Sequence, residues 1–250
     1  MHPVCRAGPG TGDPAAGHRE RPTLSPSTKG RASVSADGRP AGGQRAHWER
    51  TYTEHPGMYG EQPSAAAVHA AGIFRAHGVR DVLELGAGHG RDALFFARQG
   101  FTVHATDFSP AGIGQLREAA RRAGLPVTAA VHDVRQPLPL PDRSAGAVFA
   151  HMLLCMALST AEIRALVAEV RRVLRPGGVF VYTVRHTGDG HFGAGVGHGD
   201  DIWEHGGFAV HFFSRALVDS LAEGWVLDEV RPFEEGELPR RLWEITQRIP

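Results

Sequence analysis

Residues 80–100 read RDVLELGAGHGRDALFFARQG, and the reading of this stretch decides the fold. Val82, Leu83 and Leu85 make a short apolar strand, glycines follow at every second position (Gly86, Gly88, Gly90), and an amphipathic helix then carries Leu94, Phe95 and Phe96. Glycine takes positive φ at little steric cost and lets the backbone come close to a bound molecule, while the first turn of the helix leaves N–H groups unpaired. Strand, glycine turn and helix in this order form a ligand-holding corner of an α/β sheet.

The spacing narrows the ligand. A dinucleotide fingerprint places its third glycine three positions after the second, and here that position is Arg91. The pattern is instead Glu84-x-Gly86-x-Gly88-x-Gly90, followed by the apolar run FTVHATD ending in Asp107, an acid placed to accept hydrogen bonds from both hydroxyls of a ribose. This stretch resembles the first two motifs of the class I S-adenosylmethionine-dependent methyltransferases. The resemblance implies that Gly86, Ala87, Gly88 and Gly90 meet the methionine part of the cofactor, with Glu84 close by. It also implies that Asp107 and Phe108 hold the ribose side. The block GAGHGRDALFFARQGFTVHATDFSPAGI is most similar to the tellurite-resistance and thiopurine methyltransferases, whose acceptors are soft sulfur, selenium or tellurium centres.

Moving C-terminally, SPAGIGQLREAARRAG reads as a helix with Ser109 as N-cap and Pro110 in the first helical position. A third strand, VTAAVHD, follows, and the resemblance puts Asp133 and the N–H of Val134 against the adenine. A proline-rich loop leads to a fourth strand, AGAVFA, from whose carboxyl end His151 and Met152 leave toward the cofactor region. Members of the family commonly carry Asp or Asn near this turn; this sequence does not. The helix and strand of STAEIRALVAEVRRVLRPGGVFVYTVRH resemble the family's block before its fifth strand, with Pro176–Gly178 structural and Arg185 and His186 on the ligand side. WVLDEVR and RRLWEITQR close the chain as a hairpin at one sheet edge, so the resemblance covers about residues 80–248.

Moving N-terminally, Pro63 and Ser64 open an Ala-rich helix that ends at Gly78. Before it stand spaced aromatics, Trp48, Tyr52 and Tyr59; in the family such elements fold over the cofactor, which makes Tyr59 and Gly60 lid candidates, while Trp48 and Tyr52 divide between lid and helix packing. Residues 1–45 are rich in Gly, Pro, Ala, Ser and Arg with almost no sizeable aliphatics, so they are expected to be a disordered tail before a domain at 46–250.

Composition excludes several chemistries. The chain has 27 basic and 27 acidic residues and a formal net charge of zero, so nothing in the balance points to nucleic acid or an anionic membrane. Its one lysine, Lys29, lies in the tail, which leaves the folded part without an amine for Schiff-base catalysis. Cys5 and Cys155 do not form a disulfide framework, and no run of about 18 apolar residues or N-terminal apolar segment is present, so the cytoplasm is the expected location. Cys155, among Leu and Met, reads as a core residue.

Five histidines fall between residues 186 and 211, interleaved with Asp189, Asp200, Asp201 and Glu204 among glycines. None of their spacings sets a metal geometry, so the stretch is read as a substrate loop with no metal, in which His186 or His211 serves as base. The expected architecture is a Rossmann-like, doubly wound seven-stranded sheet, mostly parallel with an antiparallel C-terminal strand. Its expected activity is methyl transfer from S-adenosylmethionine to a small molecule, a thiol or other soft nucleophile, with Arg185 favouring the thiolate. An O-methyltransferase using a histidine base and a catalytically silent cofactor binder are the alternatives, and a nicotinamide dehydrogenase is disfavoured by the glycine spacing.

Overall fold

A computed structural model describes residues 41–236 and 240–250, so the expected tail lies, up to residue 40, outside the described residues. Its last five positions do not: helix α1 spans Ala41–Glu54 and so takes in residues 41–45, which the sequence assigned to the tail. Gln44 explains the difference, because its side chain is buried and donates from Nε2 to the Ala209 carbonyl at 3.2 Å. A long-range anchor holds a helix that composition alone does not predict.

The remaining elements run α2 (Ala65–Ala76), β1 (Asp81–Leu85), α3 (Arg91–Arg98), β2 (Thr102–Asp107), α4 (Pro110–Ala123), β3 (Val127–Val131) and β4 (Ala145–His151). Then come α5 (Thr160–Val173), β5 (Leu174–Arg185), β6 (Val196–Gly197), β7 (Ile202–His205), β8 (Phe208–His211), α6 (Arg215–Leu221), β9 (Val226–Glu235) and β10 (Arg240–Arg248). The caps are legible in the residues: Ser64, Ser109, Ser159 and Ser214 each accept from an N–H in the first turn of α2, α4, α5 and α6. At Ser159 the cap is reciprocal, with Glu162 reaching back to the Ser159 N–H at 2.8 Å.

The large sheet has the order β3-β2-β1-β4-β5-β10-β9, with β10 antiparallel to both its neighbours and every other pairing parallel. Alternation along the strands splits the core in two. Val82, Phe149 and Val181 face α2, α3 and α4, while Leu83, Val148 and Tyr182 face α5 and α6. The Arg175–Gly178 segment does not form a free turn as the sequence suggested. Leu174 already pairs with Ala145, and a register shift carries the chain to Val179 opposite Ala147, so proline and glycines bulge out of an existing strand. The histidine-rich stretch likewise folds into a small antiparallel sheet, β6-β7-β8.

Strand order reverses between β1 and β4, and in open α/β sheets this switch point opens a crevice at the carboxyl ends of the strands.

Candidate active site

A cavity of about 450 Å³ occupies that crevice. Its floor is the glycine turn. The Gly86 and Ala87 N–H groups donate to the Thr106 carbonyl at 2.8 and 3.0 Å, and Gly88 N–H donates to Asp107 Oδ2 at 2.9 Å. Asp107 Oδ1 accepts from Ser109 N–H at 2.8 Å, so each carboxylate oxygen keeps a lone pair for a further donor. Burial raises the Asp107 pKa, and the two backbone N–H groups offset part of that rise. Glu84 is also buried; its Oε2 faces no partner among the described residues, and desolvation holds its pKa well above the ordinary range.

The turn cannot take side chains. Gly88 has φ 56°, and a Cβ there would collide with the Tyr52 hydroxyl; at Gly86 (φ 72°) it would meet Leu153 at 3.0 Å. Gly90 (φ 91°) is tight for another reason. A Cβ there would strike Leu116 of α4, so this glycine packs helix on helix and does not line the cavity.

Two segments roof the cavity. One is α1, tied to α4 by Glu49, which accepts from the Ser109 hydroxyl and the Ala111 N–H, and by Gln115 Nε2, which donates to the Tyr52 carbonyl at 2.7 Å. It presents Trp48 and Tyr52, whose rings stack with centroids 5.8 Å apart. Beyond it, Tyr59 stacks on His89 at 5.9 Å with an interplanar angle of 8°. The second segment is the β6–β8 sheet, which contributes Phe208, edge-on to both Trp48 and His47. Trp48 and Tyr52 are therefore both wall and packing.

The far wall carries charge. His151 Nδ1 lies 2.9 Å from Thr183 Oγ1, which also accepts from the Met152 N–H at 2.9 Å, and His151 Nε2 lies 3.4 Å from Glu235 Oε2. The pairing with His151 lowers the Glu235 pKa against the opposing effect of burial, with help from Arg91 and Arg240. Arg185 lines this wall as well, but its guanidinium is held by Asp189 at 2.6 and 3.1 Å and lies over the Phe212 ring at 5.0 Å. Met152 sits at φ 57°, a conformation a non-glycine residue rarely adopts, at the point where β4 delivers the chain to the cavity.

Of the residues expected from sequence, Tyr59, Glu84, Gly86, Ala87, Gly88, Asp107, Phe108, His151, Met152 and Arg185 come together around this cavity. His186 and His211 do not line it. Side chains alternate along a strand, so with Arg185 facing inward His186 turns away; it stacks on Trp243 at 4.4 Å and accepts from the Gly188 N–H through Nδ1. The His211 ring is buried, with Nδ1 2.7 Å from the Leu158 carbonyl. Asp133 and Val134 also lie off the cavity. Asp133 is engaged by Arg135 at 2.8 Å and stands 3.9 Å from Arg45, whose guanidinium lies over Phe108. These cations outweigh the effect of burial and lower the Asp133 pKa. Gly60, the second lid candidate, is exposed outside the cavity wall.

Sequence reasoning missed His89, Arg91, Met156, Phe208, Glu235 and Arg240 as site residues. Arg91 had a signal, since it fills the place of the third glycine. Glu235 and Arg240 had none, because only the β9–β10 register, which sets them opposite each other, brings them to the wall. Among the described residues no group of three or more His, Cys, Asp or Glu is arranged to hold a metal ion.

A parallel sheet with a reversal point, a glycine turn and an acid at the end of the neighbouring strand defines an α/β protein built around a nucleoside-bearing cofactor. Comparison with known proteins makes this specific. Residues 82–178 match the family described as "Methyltransferase domain". The dimethylglycine N-methyltransferase of Parasynechococcus marenigrum is 35% identical over 111 residues, covering 44% of this chain and 39% of that protein. The fatty-acid O-methyltransferase of Mycolicibacterium smegmatis is 36% identical over 108 residues, covering 41% and 36%. Among solved structures, the 1,6-didemethyltoxoflavin-N1-methyltransferase of Burkholderia thailandensis, with 1,6-didemethyltoxoflavin and S-adenosylhomocysteine bound, shares the fold. Its TM-score is 0.66 at 21% identity, over 87% of this chain and 92% of that one. The chain spans about a third of the length of the first curated relatives it matches. The matched domain, these relatives and the shared fold together support a class I S-adenosylmethionine-dependent methyltransferase. The site fits that cofactor: the partnerless Glu84 oxygen suits an ammonium group, the spare lone pairs of Asp107 suit ribose hydroxyls, and side-chain-free Gly86 and Gly88 allow close approach.

Proposed function

We propose that the protein transfers a methyl group from S-adenosylmethionine to a small-molecule acceptor enclosed between the glycine turn, α1 and the β6–β8 sheet. The observation that carries this is the convergence of Glu84, the glycine turn and Asp107 on one cavity at the switch point. The bound cofactor supplies an electrophilic methyl on a sulfonium sulfur. The chain's own part is to hold the acceptor in line with that methyl, exclude water and, for a protic acceptor, take up a proton. Trp48, Phe208 and Met156 supply the apolar cover. A cytoplasmic setting is supported by the sequence's two cysteines, and among the described residues no helix is long and apolar enough to cross a membrane.

The similarity of the cofactor half to enzymes of soft centres supports a thiol acceptor, which ionises readily and needs no base. A second reading, methylation of a hydroxyl, draws support from His151: it lines the cavity, and its Nε2 stands 3.4 Å from a carboxylate able to stabilise an imidazolium. Turnover measured as S-adenosylhomocysteine released, on matched thiol and hydroxyl forms of one scaffold, separates the two. With His151→Asn, a hydroxyl substrate is expected to lose about 10²-fold or more in kcat while the thiol form keeps most of its rate. No S-adenosylhomocysteine from any thiol, phenol, amine or carboxylate in a panel would argue for a silent cofactor binder.

A further inference from the structure

We propose that Arg240 forms an anion subsite for the acceptor and that the acceptor is a small aromatic acid, an inference that rests on the methyl-transfer reading above. Three guanidinium groups line the cavity, those of Arg91, Arg185 and Arg240. Arg185 is committed to Asp189, a pair with almost no exposure. Arg91 lies over the Tyr59 ring, 3.7 Å from Asp92 Oδ1 and 3.9 Å from Glu235 Oε1, so two carboxylates share its charge. The Arg240 side chain has no hydrogen bond and no ion pair among the described residues. Its charge still reaches the cavity, where it favours the ionised forms of Tyr59 and Glu235.

A guanidinium on a cavity wall with no acceptor among the described residues is free to take a carboxylate, the group its planar donors match bidentately. Position sets the size of what it holds. Arg240 is the cross-strand partner of Glu235, and Glu235 Oε2 lies 3.4 Å from His151 Nε2, so the three residues form a row along one wall. Directly opposed strand residues have Cα atoms about 4.5–5.5 Å apart. A ligand with its anion at Arg240 and its reacting atom near His151 is therefore a small one, lying within this single cavity. Trp48, Tyr59, Met156 and Phe208 give the cavity an apolar, largely aromatic lining, which suits an aromatic ring. Glu235, whose charge Arg91 and His151 already share, repels an anion at the reacting end and so fixes which way round the ligand lies.

The same chemistry has a second source, the carboxylate of the cofactor's own amino-acid part, and the test separates them. The 250-residue chain is saturated with S-adenosylhomocysteine and titrated calorimetrically with benzoate and with methyl benzoate, as wild type, Arg240→Gln and Arg240→Lys. Benzoate is expected to bind the wild type about tenfold or more tighter than the ester, Arg240→Gln to erase the preference, and Arg240→Lys to retain part of it. Affinity for S-adenosylhomocysteine should stay within about twofold in all three, since Arg240 is assigned to the other ligand. Benzoate binding no tighter than the ester, no binding of either, or a preference that survives Arg240→Gln overturns the subsite alone. A drop of about tenfold in S-adenosylhomocysteine affinity in Arg240→Gln assigns the arginine to the cofactor and also overturns it. Failure of the wild type to bind S-adenosylhomocysteine at all overturns the methyl-transfer reading and this inference with it.

Discussion

At Gly88 the backbone stands at φ 56° with the Tyr52 hydroxyl where a Cβ would go, so any side chain strains the turn and displaces a ring of the roof. Gly88→Val is expected to cost about 1–3 kcal/mol of stability and to weaken S-adenosylmethionine binding about tenfold or more. Asp107→Ala removes the acceptor of the Gly88 N–H and, on the proposed reading, that of the ribose, and should weaken binding at least comparably; calorimetry reads both, and unchanged affinity in the two variants would sink the cofactor assignment. Asp189 acts on stability instead. Burial opposes its ionisation, but the Arg185 guanidinium and the N–H groups of His191 and Arg241 outweigh burial and bring its pKa from 3.8 to about 2. A carboxyl depressed in this way stabilises the fold above its unfolded pKa and loses that contribution as pH falls through the folded value. Asp189→Asn should therefore cost about 3 kcal/mol near neutrality, with the gap to wild type narrowing between pH 4 and pH 2. Urea melts across that range give the comparison, and a gap that did not change with pH would mean the pair acts through packing alone.

Helix α1 shows what an element-level reading gains and loses. Its sequence, AGGQRAHWERTYTE, has weak intrinsic helicity at its start, and the residues that hold it there act at a distance: Gln44 on Ala209, Glu49 on the first turn of α4. A chain starting at Ala41 is expected to keep the melting temperature and cofactor affinity of the 250-residue chain. One starting at His55 should lose about tenfold or more in affinity, because Trp48 and Tyr52 leave the roof, and should melt several degrees lower. Equal behaviour of the two shortened chains would show α1 to be ornamental. The glycine turn, the serine caps and the parallel strands were legible because each is specified by residues adjacent in sequence. His186 was misread because nearness to a strand end was taken for direction: the pleat sends Arg185 inward and its neighbour away. Glu235 and Arg240 were invisible for the opposite reason, since only hairpin register sets them beside His151. The LRPGG bulge and the β6–β8 sheet fall between these cases, with the right residues noticed and the wrong local geometry expected.

Across the whole molecule, the cavity has a floor fixed by a seven-stranded sheet and a roof assembled from segments on either side of it in the chain. The roof closes where Phe208 meets Trp48 and His47 and where Gln44 meets Ala209. These contacts are few and small beside the two cores on the faces of the sheet, so the latch is the part of the site that opens most readily. The consequence is one of timing. With the floor fixed, the lifetime of the spent cofactor is expected to follow how often this latch parts, so that product escape paces turnover. Phe208→Ala is expected to raise the dissociation rate of S-adenosylhomocysteine about tenfold with a smaller change in its association rate, as stopped-flow fluorescence would report. In the wild type, turnover should then slow in proportion to added solvent viscosity, and that dependence should fade once the latch is cut.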